Sequence, residues 1–212
     1  MSNEPTYPLA PQGVFLTLNG EGLFSGVPQV FVRTAGCPVA CPECDTNYSF
    51  AERVSLDELT RRVVAVATPA TEWVWVTGGE PAVHALAPLC GRLHALGFRV
   101  ALATSGIREV PRGNAPAVGL AGFDFVSVSP HKVDESWVLR RGEQLNVVPG
   151  LNGLTLDAFE GVDVSGFVAR FVTPCWYGPG DRMERVAECA EWVRAHPGWR
   201  LGIQAHKAWG IS

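Results

Sequence analysis

The chain has 212 residues, 47% of them apolar, and a formal net charge of −4; that length suits one domain with a sizeable buried core. The acidic balance argues against a broad phosphate-binding surface, and so against nucleic acid as the main partner. No apolar run reaches the length of a membrane span and the opening residues do not read as a signal peptide, so a cytoplasmic location without a membrane partner is expected.

Residues 1–13, rich in Pro and polar groups, read as a loose lead-in. Val30–Thr34 is predicted as a strand. Ser55–Ala67 is predicted as a helix, because Ser55 is followed three residues on by Glu58 in a capping-box pattern. Glu72–Thr77 is the next strand. Val83–Gly97 reads as a helix closed by Gly97, with Pro88 marking a bend or a late start. Strands follow at Phe98–Thr104, Phe123–Ser129, Gln144–Pro149 and Gly166–Pro174, then a helix at Arg182–Gly198 and a last strand at Trp199–Ala205. Pro111–Gly122 has no helical period, so one crossover is expected to be a loop. Strand and helix alternate, which predicts an α/β fold with a mostly parallel sheet. The helices fall short of eight full units, which favours an incomplete barrel over a closed one. Residues 1–212 are read as one domain.

The unusual residues follow the strands, in RTAGCPVACPEC, TGGEP, ATSG, SPHK, VVPG, TPCW and QAHK. In parallel α/β folds these tails gather on one rim, where ligands bind. Gly and Pro also punctuate ordinary strand ends, but that does not account for the Cys, His, Glu and Lys beside them.

Cys37, Cys41 and Cys44 have the spacing C-x3-C-x2-C on a loop just after a strand. Three thiolates so placed can ligate three irons of a [4Fe–4S] cluster and leave the fourth open, free to chelate S-adenosylmethionine (SAM) and cleave it reductively. Two readings compete. A structural zinc site wants four N or S ligands, and the nearest His is His84. Three core thiols would need an apolar loop, whereas this one carries Pro38, Pro42, Glu43 and Asp45.

With the cysteine loop and TGGEP in view, the chain resembles the radical SAM superfamily, and more narrowly the 7-carboxy-7-deazaguanine synthase family. The resemblance is carried by Phe15–Cys37, Cys44–Thr46 (CDT), Thr77–Pro81 (TGGEP), Ala103–Gly106 (ATSG), Val128–His131 (VSPH) and Gln204–Ser212 (QAHKAWGIS). It implies a partial, modified TIM-like (β/α) barrel of the radical SAM type. It also implies conversion of 6-carboxy-5,6,7,8-tetrahydropterin to 7-carboxy-7-deazaguanine with loss of ammonia, in queuosine and 7-deazapurine biosynthesis. The implied cofactors are a [4Fe–4S] cluster, SAM and Mg2+; the implied partners are the small pterin, a second copy in a homodimer, and a reducing electron donor such as flavodoxin.

By the same resemblance, Thr46 is the Mg2+ position. Glu43, Asp45, Gly79, then Ser129, Pro130 and His131, then Thr173, Pro174, Cys175 and Trp176 border SAM. Leu18, Asn19, Gly20, Arg33, Thr77 and Ser212 border the substrate, and residues 204–212 fold back over it. Three departures stand out: Asn19 where the family usually has Gln, His131 where it has Lys (with Lys132 next in line), and Thr173-Pro174-Cys175 where relatives often read Gln-Pro-Met. The alternatives to be weighed are another radical SAM enzyme, such as a glycyl-radical activase, and a zinc-stabilised binding module without catalysis.

Overall fold

The computed structural model describes residues 4–111, 114–115, 120–175 and 182–211. Among these, the first half runs β1 (Thr6–Leu18), β2 (Pro28–Thr34), β3 (Glu52–Ser55), α1 (Leu56–Val66), β4 (Trp73–Gly78), α2 (Ala87–Ala95) and β5 (Arg99–Thr104). The second half runs β6 (Asn114–Ala115), β7 (Leu120–Ala121), β8 (Phe125–Val128), β9 (Gly142–Val147), β10 (Phe167–Val172), α3 (Arg182–Ala195), β11 (Trp199–Leu201) and α4 (Ala205–Trp209). The described strands form an open nine-stranded sheet in the order β11-β10-β9-β8-β5-β4-β2-β1-β3, with β6 and β7 a separate antiparallel pair. From β2 to β11 every pairing is parallel. The sheet does not close, so the barrel is partial, as the short helix count predicts.

Alternation along each parallel strand separates two faces. Val30, Val32, Val74, Val76, Val100, Leu102, Val126 and Val128 point to the helices and pack in one buried core with Leu59 and Val63 of α1 and Leu89 and Leu93 of α2. The neighbours in between point to the inner face. There Trp73, Trp75, Ala101 and Phe125 make a second cluster, with Phe24 and Phe31 packed on it. Phe24 sits on the short 3-10 turn Gly22–Phe24 that joins β1 to β2. Its ring meets Trp73 and Phe125 edge-on, each at 4.8 Å between centroids, the arrangement that aromatic quadrupoles favour. This plug fills the floor of the partial barrel at the N-terminal ends of the parallel strands.

The expected lead-in is instead mostly strand. β1 pairs antiparallel with β2, from Leu9↔Thr34 to Leu18↔Pro28, and with β3, from Thr6↔Ser55 to Leu9↔Glu52. Tyr7, Leu9 and Ala10 are buried, so burial decides the conformation where composition suggests a loop. The Pro and Gly that give the segment its loop-like look sit where they do no harm. Pro8 supplies only its carbonyl, to the amide of Ala35, and Gly13 takes a φ of 56° at the register irregularity between Leu9 and Val14, the use of glycine at a bulge.

Other boundaries move for local reasons. α1 begins after Ser55, whose side chain accepts from the Glu58 amide, as the capping pattern predicts. α2 starts late, with Pro88 in its first turn. His84 therefore precedes the helix, closing a 3-10 turn at Pro81–Val83. His196 lies just past α3. The crossover through 111–122 carries the β6–β7 pair and no helix among its described residues. The last strand stops at Leu201, and α4 replaces its predicted end.

Candidate active site

The seven parallel strands deliver their C-terminal ends to one rim. On the inner face of β2, β4 and β8 an aromatic side chain is followed, two residues nearer the rim, by a polar one. Phe31 gives way to Arg33, Trp75 to Thr77, and Phe125 to Ser127. β9 contributes Gln144 and Asn146, both buried. Two contiguous hollows lie over this rim. One, of about 230 Å³, is bordered by Cys37, Cys41, Cys44, Gly79, His131 and Cys175. The other, of about 200 Å³, is bordered by Phe15, Arg33, Trp75, Gln144 and His206 among others. Glu21, Asp45, Thr46, Thr77, Ser129 and Gln204 border both.

The cysteine loop leaves β2 and is pinched shut at its base, where the Gly36 amide donates to the Tyr48 carbonyl at 2.9 Å. Within it the Cys44 amide donates to the Cys41 carbonyl, and the Glu43 carboxylate accepts from the Asn152 amide at 3.3 Å. Cys41 is buried, Cys37 half-buried and Cys44 exposed. Burial first, then the neighbouring thiols Cys44 and Cys37, push the Cys41 thiol up to about 11. Burial likewise raises Cys44. Two neighbouring thiols, Cys41 and Cys44, thus resist ionising, and such a site wants a cationic centre, which inverts that balance. Among the described residues no three His, Cys, Asp or Glu side chains gather around a single ion. A cluster spreads its ligands over three different irons, so the donor set fits a [4Fe–4S] centre. The remaining cysteines contrast with these: Cys90 and Cys189 are buried in the helix-side core and burial drives each up to about 12.

TGGEP fastens the loop to the sheet. Gly78 has a φ of 136°, and a Cβ there would stand 2.1 Å from the Thr34 carbonyl oxygen. A Cβ on Gly79 would stand 2.1 Å from the Gly36 oxygen and 3.0 Å from Cys37 Cβ. The Gly79 and Glu80 amides donate to the Thr34 and Gly36 carbonyls at 3.0 and 2.9 Å. The glycines thus allow close approach of the protein's own cysteine loop, with Gly79 still bordering the cavity. Glu80 is fully buried. It accepts from the Ala82 amide at 2.9 Å, Thr104 Oγ1 at 2.7 Å, the Ser105 amide at 2.7 Å and the Ser105 hydroxyl. It ties the ends of β4 and β5 together, as a buried carboxylate must be tied to be tolerated.

His131 stands with Nδ1 3.1 Å from Cys41 Sγ, and burial holds its pKa below the usual imidazole range. Lys132 borders an adjoining groove with Pro38, Ile107 and Trp137; of the two candidates for the SAM-facing place, only His131 also borders the cysteine cavity. Ser129 borders it too, its amide fixed by the Thr104 carbonyl at 2.8 Å, and Pro130 is buried. Thr173 is buried and donates its hydroxyl to Asn146 Oδ1 at 2.6 Å. Pro174 is half-buried, and Cys175 borders the cavity without belonging to the C-x3-C-x2-C loop. Trp176 and Ser212 lie outside the described residues.

In the second hollow Arg33 donates from Nη1 to Thr46 Oγ1 at 3.2 Å and lies over the Phe15 ring at 5.5 Å. Its buried Nε has no partner among the described residues. Burial lowers its pKa, while Asp45 and Cys44 act to raise it. A half-buried guanidinium with a spare donor fits an anion arriving from the cleft. Leu18, Asn19 and Gly20 form the neighbouring wall. The Asn19 amide, however, is spent inside the protein, donating to Gln29 Oε1 at 2.9 Å and accepting from the Glu21 amide at 2.9 Å.

The C-terminal segment closes the rim. The Ala205 amide donates to the Gly20 carbonyl at 2.8 Å. Gln204 Nε2 and Asn146 Nδ2 donate to the two carboxylate oxygens of Glu21 at 3.0 and 2.9 Å, and Lys207 pairs with Asp45. His206 packs on Gly20 so tightly that a Cβ there would stand 2.1 Å from its Nδ1. Gln144 and Asn146 are absent from the residues that the sequence assigned to the site, although polar side chains alternate with apolar ones in Gln144-Leu145-Asn146-Val147; His206 is singled out only as part of the QAHK tail and of residues 204–212.

A partial parallel barrel with a three-cysteine loop at its rim defines the class: the radical SAM superfamily profile matches residues 31–193. The 7-carboxy-7-deazaguanine synthase of Bradyrhizobium diazoefficiens is 32% identical over 221 residues, covering 95% of this chain and 98% of the relative. That of Synechocystis sp. is 31% identical, covering 97% and 94%. The crystal structure of QueE from Escherichia coli superimposes with a TM-score of 0.72 at 26% identity, covering 95% of both chains. The chain belongs to the 7-carboxy-7-deazaguanine synthase family of radical SAM enzymes.

Proposed function

We propose that this chain is a carbon–nitrogen lyase that converts 6-carboxy-5,6,7,8-tetrahydropterin to 7-carboxy-7-deazaguanine and ammonia, a step of queuosine and 7-deazapurine biosynthesis. The observation that carries the reading is the continuity of the cysteine cavity with a cleft whose wall holds Arg33. Cys37, Cys41 and Cys44 would hold the [4Fe–4S] cluster, which when bound supplies the electron for reductive cleavage of SAM. Glu43, Asp45, Gly79, Ser129, His131 and Cys175, which border the cysteine cavity, form the SAM side.

On the other side Arg33 grips the pterin carboxylate, since its unpartnered Nε and its burial favour an anion over water. Trp75 offers a flat apolar surface to the ring. Thr46 offers a hydroxyl to Mg2+, a hard cation that takes oxygen ligands and keeps waters. Leu18, Asn19, Gly20 and Thr77 border the same cleft and complete the substrate side. Enclosure by residues 204–211 limits water at the reacting atoms. The working form is a cytoplasmic homodimer that receives electrons from a donor such as flavodoxin.

The test is anaerobic reconstitution with iron and sulfide, followed by reaction with SAM, Mg2+, a reductant and the pterin, with mass detection of the product. The expected outcome is the deazapurine acid, lighter than the substrate by one ammonia. SAM cleavage with no such product would assign the chain to a different radical SAM reaction. A colourless protein holding zinc would end the reading altogether.

A further inference from the structure

We propose that Asn19 and Gln29 form a length-matched amide pair that fixes the substrate-side turn at Asn19–Gly22, and that Gln29 is thereby a positioning residue for the reaction. The inference rests on the functional reading above. Gln29 lies on β2 opposite Thr17 of β1. It shares the inner face with Phe31 and Arg33, two and four residues on, both of which border the cleft. It is 0% exposed, deeper than either of them. A polar side chain so placed is unfavourable unless it is bonded, and Gln29 is only half satisfied. Its Oε1 accepts from Asn19 Nδ2 at 2.9 Å, whereas its Nε2 has no partner among the described residues. An apolar side chain there would avoid the orphaned amide. What the amide accomplishes is its grip on Asn19.

All four polar groups of Asn19 are engaged within the protein. Its backbone amide donates to the Val27 carbonyl at 2.9 Å, and its carbonyl accepts from the Gly26 amide at 2.8 Å. Its Oδ1 accepts from the Glu21 amide and its Nδ2 donates to Gln29. Asn19 therefore braces the wall of the cleft, with both ends of its side-chain amide engaged within the protein. Movement of Asn19 would be felt at once, because Gly20 has no room between the turn and His206, and Glu21 is clamped at both oxygens. β2 is an interior strand, so the distance from its backbone to the turn is fixed. One short and one long amide span that distance; a second long one overfills it by a methylene, and two short ones leave a gap.

The experiment uses the reconstituted enzyme and reads the dissociation constant of the pterin by equilibrium dialysis, together with KM and kcat. Asn19→Gln and Gln29→Asn should each weaken pterin binding about tenfold, the scale of one or two lost hydrogen bonds. The double variant Asn19→Gln/Gln29→Asn keeps one long and one short amide and should return to within about twofold of the original protein, on the same scale. Gln29→Leu should keep or raise the melting temperature while weakening pterin binding, a split that a purely structural role would not produce. Iron content should be the same in all four. Unchanged binding in Asn19→Gln, or a double variant no tighter than the weaker single one, overturns the inference alone. An unaltered protein that makes no deazapurine acid overturns the functional reading, and this inference with it.

Discussion

The two faces of the parallel sheet are built from the same strands and obey different rules. The helix-facing side is uniform, with valine and leucine from β2, β4, β5, β8 and β9 packed against the apolar sides of α1 and α2. The inner side is graded, from the ring cluster of Phe24, Trp73, Trp75 and Phe125 at the floor to Arg33, Thr77, Ser127 and Asn146 at the rim. A uniform face stabilises by area buried, and any well-fitting apolar side chain serves it. A graded face places chemistry, and there the identity of each side chain matters. The alternation of one strand thus lets stability and activity be changed separately at neighbouring positions.

Substitutions can break or sharpen this division. The largest effect is expected at the rim loop. Cys41→Ala should abolish product and leave the anaerobically reconstituted protein short of the roughly four irons of an intact cluster, while Cys189→Ala, in the helix-side core, should keep both the iron and the colour. Equal iron loss in the two variants would contradict the assignment. Next, Arg33→Met should lower kcat/KM by roughly 10- to 100-fold, the scale of hydrogen bonds to a charged group, with iron content unchanged; a fall in iron instead would place Arg33 with the loop and not with the substrate. The smallest effect on catalysis is expected at Leu102, which is fully buried on the helix side. Leu102→Ala should cost about 2–5 kcal/mol in denaturant unfolding and leave kcat/KM of the folded protein unaltered. Loss of activity at Leu102 beyond the loss of folded protein would show that the two faces are coupled.

The fold was largely legible because seven strands carry apolar runs of the right length and end in unusual residues. What escaped was the N-terminal strand. Thr6–Leu18 holds Pro5, Pro8, Pro11 and Gly13 within or beside it, and only the burial of Tyr7 and Leu9 against β2 and β3 shows why it is extended. α4 escaped for a related reason: it is too short to show a period, and its conformation depends on what it touches. Within the site, the cysteine loop was legible from spacing alone. The close approach that Gly78 allows to Thr34 of β2, and Gly79 to Gly36 of the cysteine loop, was not, since it joins segments more than forty residues apart. Asn19 shows the limit of reading one position at a time. Its type suits a substrate contact, and its partner Gln29, ten residues away, turns it inward.

α4 spans only Ala205–Trp209. A helix of that length has no stability of its own in water, since nucleation is unfavourable and too few bonds follow to offset it. It is helical because Gly20, Glu21 and Asp45 hold residues 204–207. Undocking and melting are therefore one event for this segment. Any displacement of this segment from the rim therefore also costs it its helix, so the entropy of those few residues enters the free energy of opening that edge of the site.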